Sequence, residues 1–134
     1  MKAFEEVRGF NYQPSTGTTS LENWIYFDED LIRKELFQGK KLFPKFNTLR
    51  IWLSWDAWRR NRDIFVRRFE TVLEIADSLG LRVIPCLLNR WHDTEGFDNG
   101  GVYTDNFAQP DAWCYYRNYY NEYVKDIVSL HAAD

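Results

Sequence analysis

An amide, a guanidinium, an indole, an imidazole and a carboxylate follow one another at Asn89-Arg90-Trp91-His92-Asp93. They come directly after the apolar run Leu81-Arg82-Val83-Ile84-Pro85-Cys86-Leu87-Leu88. Asn89 can hold a hydroxyl, Trp91 offers a flat face for stacking, and His92 supplies a neutral hydrogen-bonding imidazole. These are the groups that recognise a polyhydroxylated ring, although a strand-end turn with a packed Trp and a solvated His would contain them too. Asp93, Glu95, Asp98 and Asp105 share a loop. Their spacing does not match an EF-hand, and a solvated acidic loop is the simpler reading. Cys86 and Cys114 read as buried thiols. No CxxC or Cys/His spacing suggests zinc, and neither a metal nor another cofactor is expected. No phosphate-cradling Gly loop or Ser/His/Asp set stands in recognisable context.

The elements that must position these groups can be read from their periods. Val7-Arg8-Gly9-Phe10-Asn11-Tyr12 reads as a first strand running into the loop Gln13-Pro14-Ser15-Thr16-Gly17. Asp28 can cap a helix from about Glu29, with Ile32, Leu36, Gly39 and Phe43 on one face and Pro44 ending it. Thr48-Leu49-Arg50-Ile51-Trp52-Leu53-Ser54-Trp55 alternates with a period of two. Leu49, Ile51 and Leu53 fall on one face; Arg50, Trp52 and Ser54 fall on the other. Residues 56–62 read as a loop carrying Trp58. From Asp63 the period becomes helical through Phe65, Phe69, Val72, Ala76 and Leu79, and Gly80 closes the helix. The stretch Leu81–Leu88 is then a third strand, apolar enough to be buried on both faces. A long Gly-containing loop over 94–109 follows, and Pro110 introduces a last helix with the stripe Trp113, Tyr116, Tyr120, Tyr123, Ile127 and Leu130.

Three strand–helix units in succession predict an α/β chain with a parallel sheet. Right-handed crossovers between neighbouring strands place all the helices on one side, leaving the other face bare. A (β/α)8 barrel covers such a face by closing on itself, but it takes ~250 residues. The 134 residues here correspond to about half of one, and are read as a single N-terminal fragment, residues 1–134, of a barrel domain.

Composition narrows the function class. Aromatic residues make up 18% of the chain, with Trp 6 and Tyr 8 among them, which suits stacking on sugar faces as well as core filling. A net charge of −3 argues against an electrostatic grip on nucleic acid or anionic lipid. No run of ~18 apolar residues predicts a membrane span. Met1-Lys2-Ala3-Phe4-Glu5-Glu6 lacks the apolar core of a secretory signal, so a cytoplasmic location is expected unless a signal has been removed.

With the strands placed, the chain resembles the N-terminal part of a (β/α)8 glycoside hydrolase of the family 5 type, which includes cellulases and β-mannanases. Arg8-Gly9-Phe10-Asn11-Tyr12, Asn47-Thr48-Leu49-Arg50-Ile51-Trp52 and Asn89-Arg90-Trp91-His92-Asp93, with Gly100-Gly101-Val102-Tyr103, carry the resemblance. Their order and spacing carry it; no single motif is diagnostic. The resemblance implies a β-linked glycan as substrate and hydrolysis by two carboxylates, ~5 Å apart in retaining enzymes. One is a Glu ending the fourth strand within Asn-Glu-Pro, and the other is a Glu ending the seventh. This sequence contains no Asn-Glu-Pro, and Ser129–Asp134 lies where a fourth strand would be about to begin. Neither catalytic carboxylate is therefore expected in the chain, which by itself should be inactive.

Arg50 would support the nucleophile's carboxylate, with a structural salt bridge at the sheet edge as the competing reading. Asn11, Tyr12, Trp52, Asn89, Trp91 and His92 would bind substrate. Trp52, Trp55 and Trp58 divide evenly between sugar platform and core. Glu122 has no evident partner and is not a catalytic candidate. The alternative class is a non-catalytic carbohydrate-binding or self-associating α/β module, in which two copies cover each other's bare sheet.

Overall fold

The computed structural model describes residues 6–87 and 121–130. In chain order these form β1 (Gly9–Tyr12), α1 (Ser20–Ile25), α2 (Glu29–Leu42), β2 (Thr48–Trp52), α3 (Trp55–Arg60), α4 (Arg62–Ser78) and β3 (Arg82–Cys86). Residues 121–130 are helical, α5. The strands make one parallel sheet in the order β1-β2-β3. The described residues are thus mixed α/β with a small three-stranded parallel sheet.

Sheet register sorts the side chains. Phe10, Leu49 and Val83 lie in one row and Tyr12, Ile51 and Pro85 in another, on the same face. Leu49, Ile51 and Val83, with Leu53 beyond the end of β2, are buried among helix residues that include Ile32, Leu36, Phe65, Phe69 and Val72. Asn11, Arg50 and Ile84 form the row facing the other way, and all three are exposed. The strand expected at Leu81–Leu88 is therefore buried on one face only: Val83 is 7% exposed and Ile84 49%.

The predicted caps form. Asp28 accepts from Leu31 N at 2.9 Å to start α2. Gly80 takes a positive φ of 64° after α4, a left-handed stop that glycine adopts without steric cost. Phe43, placed on the buried stripe of α2 from sequence, instead follows its last turn and is 53% exposed, against Phe10.

Two short helices were not anticipated. Trp55, expected at the end of the second strand, and residues 56–60, expected in a loop, form α3, because Ser54 accepts from Ala57 N at 3.2 Å and Trp55 and Trp58 are pulled inside. α1 begins at the N-cap Thr19, whose hydroxyl accepts from Glu22 N. The Glu22 carboxylate reaches back to Thr18 N at 2.8 Å. This is a variant of the Thr-x-x-Glu capping box and was legible in the sequence.

Aromatic rings tie the layers together. The Trp24 ring lies 4.7 Å from that of Phe65, and Trp58 lies 5.6 Å from Tyr123 of α5. Tyr123 and Ile127 are buried, as the stripe of the last helix predicts. Trp113, Tyr116 and Tyr120 lie outside the described residues. Glu122, which sequence left without a partner, accepts from Arg62 Nη1 at 3.0 Å.

Candidate functional site

Alternation along β2 sends Arg50 and Trp52 away from the helices, and parallel pairing sets Asn11 on one side of them and Cys86 on the other. Arg50 Nε donates to Cys86 Sγ at 2.8 Å, and its Nη1 donates to Asn11 Oδ1 at 3.4 Å. The guanidinium carbon stands 4.8 Å from the centre of the Trp52 ring, within cation–π range. Three strands thus meet in one cluster at the carboxyl side of the sheet. Cys86, expected as a buried thiol, is half-buried and belongs to this cluster.

The competing reading of Arg50, a structural salt bridge, finds no counterpart: among the described residues its partners are a thiol, an amide oxygen and an indole. Among the described residues its guanidinium is aligned by neutral groups alone.

Tyr12 does not join Asn11. It is on the helix side, where its hydroxyl donates to Glu35 Oε2 at 2.7 Å. Burial, then the Glu35 hydrogen bond and its negative charge, push the phenol far above its ordinary ionisation range. Glu35 also accepts from Ser15 N at 3.3 Å, so the pair fixes the loop after β1 onto α2. Of the three tryptophans divided between platform and core, Trp55 and Trp58 are core at 0% and 2% exposure, and only Trp52 remains on the open face. Ser54, assigned to that face by alternation, is fully buried as the cap of α3. Asn89, Trp91 and His92 lie outside the described residues, as does the acidic loop after them.

Supporting residues complete the cluster. Trp24 Nε1 donates to the Trp52 carbonyl at 2.8 Å, and Arg68 donates to the carbonyls of Trp24 and Ile25. Asn47 joins the starts of all three strands. Its Oδ1 accepts from Arg8 N at 2.8 Å, its own N–H reaches Arg8 O at 2.9 Å, and its carbonyl accepts from Arg82 N at 2.9 Å. No period or motif signals the roles of Trp24 and Arg68, which depend on contacts across 28 and more than 40 residues.

Chemically, the cluster offers a stacking face, an amide and an aligned cation. Among the described residues no group of three or more His, Cys, Asp or Glu could hold a metal ion, and no helix is long and apolar enough to cross a membrane. No family model, no curated protein and no solved structure matches the chain.

Proposed function

We propose that this chain is the N-terminal part of a glycoside hydrolase barrel, contributing one wall of a cleft for a β-linked glycan. The observation that carries the proposal is the sheet. Three parallel strands in sequential order have helices against one face, while Asn11, Arg50 and Trp52 meet on the other, beside Cys86. In parallel α/β barrels the carboxyl ends of the strands carry the chemistry. A sheet face left open by the described helices and bearing a cation and an aromatic ring suits three units of such a barrel better than a free-standing sheet. Trp52 is the stacking platform, Asn11 a hydroxyl ligand, and Arg50 the cation that holds a carboxylate in place. Asn89, Trp91 and His92 would extend the same wall. The acid and the nucleophile are supplied by further strands of the whole enzyme, so residues 1–134 bind without cutting. The reading also keeps the chain away from nucleic acid and membranes, and in the cytoplasm unless a signal precedes it.

Titration of the purified chain with cellohexaose and mannohexaose, followed by tryptophan fluorescence, tests the proposal. Saturable binding lost in Trp52→Ala, with no reducing sugar released, supports it. Absence of binding to either oligosaccharide, or turnover that survives stringent purification, overturns it. The coding sequence after Asp134 gives an independent check, where a strand ending in Asn-Glu-Pro is expected.

A further inference from the structure

We infer that Cys86 is the positioning residue for Arg50: by holding Nε, it turns the Nη1 and Nη2 end of the guanidinium toward the carboxylate that Arg50 supports. This rests on the role given to Arg50 above. A guanidinium can grip a carboxylate through either of two edges, the side formed by Nε–H and Nη2–H or the end formed by Nη1–H and Nη2–H. Which edge is offered decides where the carboxylate must stand. Arg50 Nε already donates to Cys86 Sγ at 2.8 Å, so the side is taken. From the opposite neighbouring strand Asn11 Oδ1 accepts from Nη1 at 3.4 Å, and the Trp52 ring centre lies 4.8 Å from the guanidinium carbon. Because β1 and β3 flank β2, the fork is held from both sides. Its end remains, with one Nη1–H and both Nη2–H groups lacking an acceptor among the described residues.

Cys86 can steer Arg50 because other contacts fix Cys86 itself. Arg50 pairs with Ile84, and Cys86 follows two positions later on the same face of β3. Its carbonyl accepts from Leu53 N at 2.9 Å. The next carbonyl, that of Leu87, accepts from the hydroxyl of the fully buried Tyr123 at 2.9 Å. The sulfur is therefore carried on backbone tied to β2 on one side and to α5 on the other. The half-buried position of Cys86 partly shields the Nε contact from water. Sulfur is a weak acceptor. It directs Nε without the competition that a carboxylate at this position would bring for the charge Arg50 shares with the enzyme's own carboxylate.

The test follows the side-chain N–H signals of Arg50 by NMR in the purified chain, assigned by their loss in Arg50→Lys. Sodium acetate stands in for the enzyme's carboxylate. Cys86→Val fills similar space with a good strand former but has no acceptor, and Cys86→Ser restores one. In the wild-type chain acetate should shift the Nη signals and leave Nε–H in place. Cys86→Val should speed solvent exchange of Nε–H roughly fivefold, the scale of one net hydrogen bond. Acetate should then shift Nε–H as well, because the side edge is free. Cys86→Ser should return both readouts toward wild type, a rescue that a thiol serving only to fill space does not predict. Nε–H behaviour unchanged in Cys86→Val, or equally altered in Cys86→Val and Cys86→Ser, overturns the inference. Acetate that moves Nε–H in the wild-type chain, or leaves Nη unmoved, overturns it too, and this arm decides the edge even where Cys86→Val does not fold. Those results leave the glycan reading standing, since it is judged by cellohexaose and mannohexaose binding at Trp52. If neither oligosaccharide binds, that reading falls, and with it the role for which Arg50 is positioned.

Discussion

The Trp24 indole donates its Nε1–H to the main-chain carbonyl of Trp52 at 2.8 Å. A side chain of α1 thereby closes the last carbonyl of β2, at the end of the sheet where the Arg50 cluster sits. Trp24 is 3% exposed and packs on Phe65 and Phe69, so core and site share one residue. Trp24→Phe keeps an aromatic ring but removes the donor, leaving a carbonyl to find another partner. A loss of about 1–3 kcal/mol is expected, read as a lower urea midpoint with the m value unchanged. The indole resonance of Trp52 should shift in the same variant, and a Trp52 signal that stays put would show that the bond does not orient this strand end.

Arg62 and Asp126 form the second long-range tie. Nε and Nη2 of Arg62 reach Oδ2 and Oδ1 of Asp126 at 2.8 Å each, and Trp58 Nε1 donates to the same Oδ2 at 2.8 Å. Asp126→Ala should destabilise by about 1–3 kcal/mol, chiefly by stranding the buried Trp58 donor; the exposed Arg62 side of the pair contributes less. Burial pushes the Asp126 carboxyl upward, but the hydrogen bonds from Arg62 and Trp58 and the Arg62 charge outweigh it and hold the carboxyl below its ordinary range. A depressed carboxyl stabilises the fold above its unfolded pKa and loses that contribution as pH falls through the folded one. The stability gap between wild type and Asp126→Asn should therefore narrow below about pH 4, and a pH-independent gap would remove Asp126 as the titrating group.

Tyr12 carries the opposite sign. Its neutral form is favoured in the fold, so its contribution is complete below the ordinary phenol value of 10.0 and declines as pH climbs above it. Absorbance titration of the folded chain should show a phenol that ionises only with alkaline unfolding. Tyr12→Phe should delete that late fraction; its persistence in the variant would assign it to another tyrosine.

Two glycines give a contrast in sign. A Cβ on Gly9 would lie 2.7 Å from Thr48 O and 3.2 Å from Thr48 Cβ, against a neighbouring strand that cannot yield without moving the sheet. Gly9→Ala should cost about 1–3 kcal/mol. At Gly39 in α2 the nearest atom to an added Cβ is a Phe46 ring carbon at 3.7 Å, an ordinary contact. Gly39→Ala should stabilise by roughly 0.5–1 kcal/mol through helix propensity. Thermal melts of the two variants should move in opposite directions.

Much of the layout was legible because local rules fix it. The Asp28 cap, the α4 stripe from Phe65 to Ala76, the stop at Gly80 and the alternation of Leu49 and Ile51 with Arg50 each involve neighbours within one or two turns. The box at Thr19 and Glu22 follows the same local rule. Trp55 and Trp58 were not legible. A tryptophan suits a sugar platform or a core equally by type, and the Ser54 cap that turns both inward operates only once α4 and Tyr123 are there to receive them.

From sequence alone come the strand–helix alternation, the face of each amphipathic element and the presence of Asn11, Arg50 and Trp52 at strand ends. Tertiary structure decided which of these groups meet. A period of two says that Arg50 and Leu49 point apart, but only the pairing of three parallel strands brings Arg50 against Asn11 and Cys86, residues 39 and 36 positions away. The same pairing sent Tyr12 to Glu35 on the far side. Contacts of that separation depend on register and packing, which no local pattern encodes.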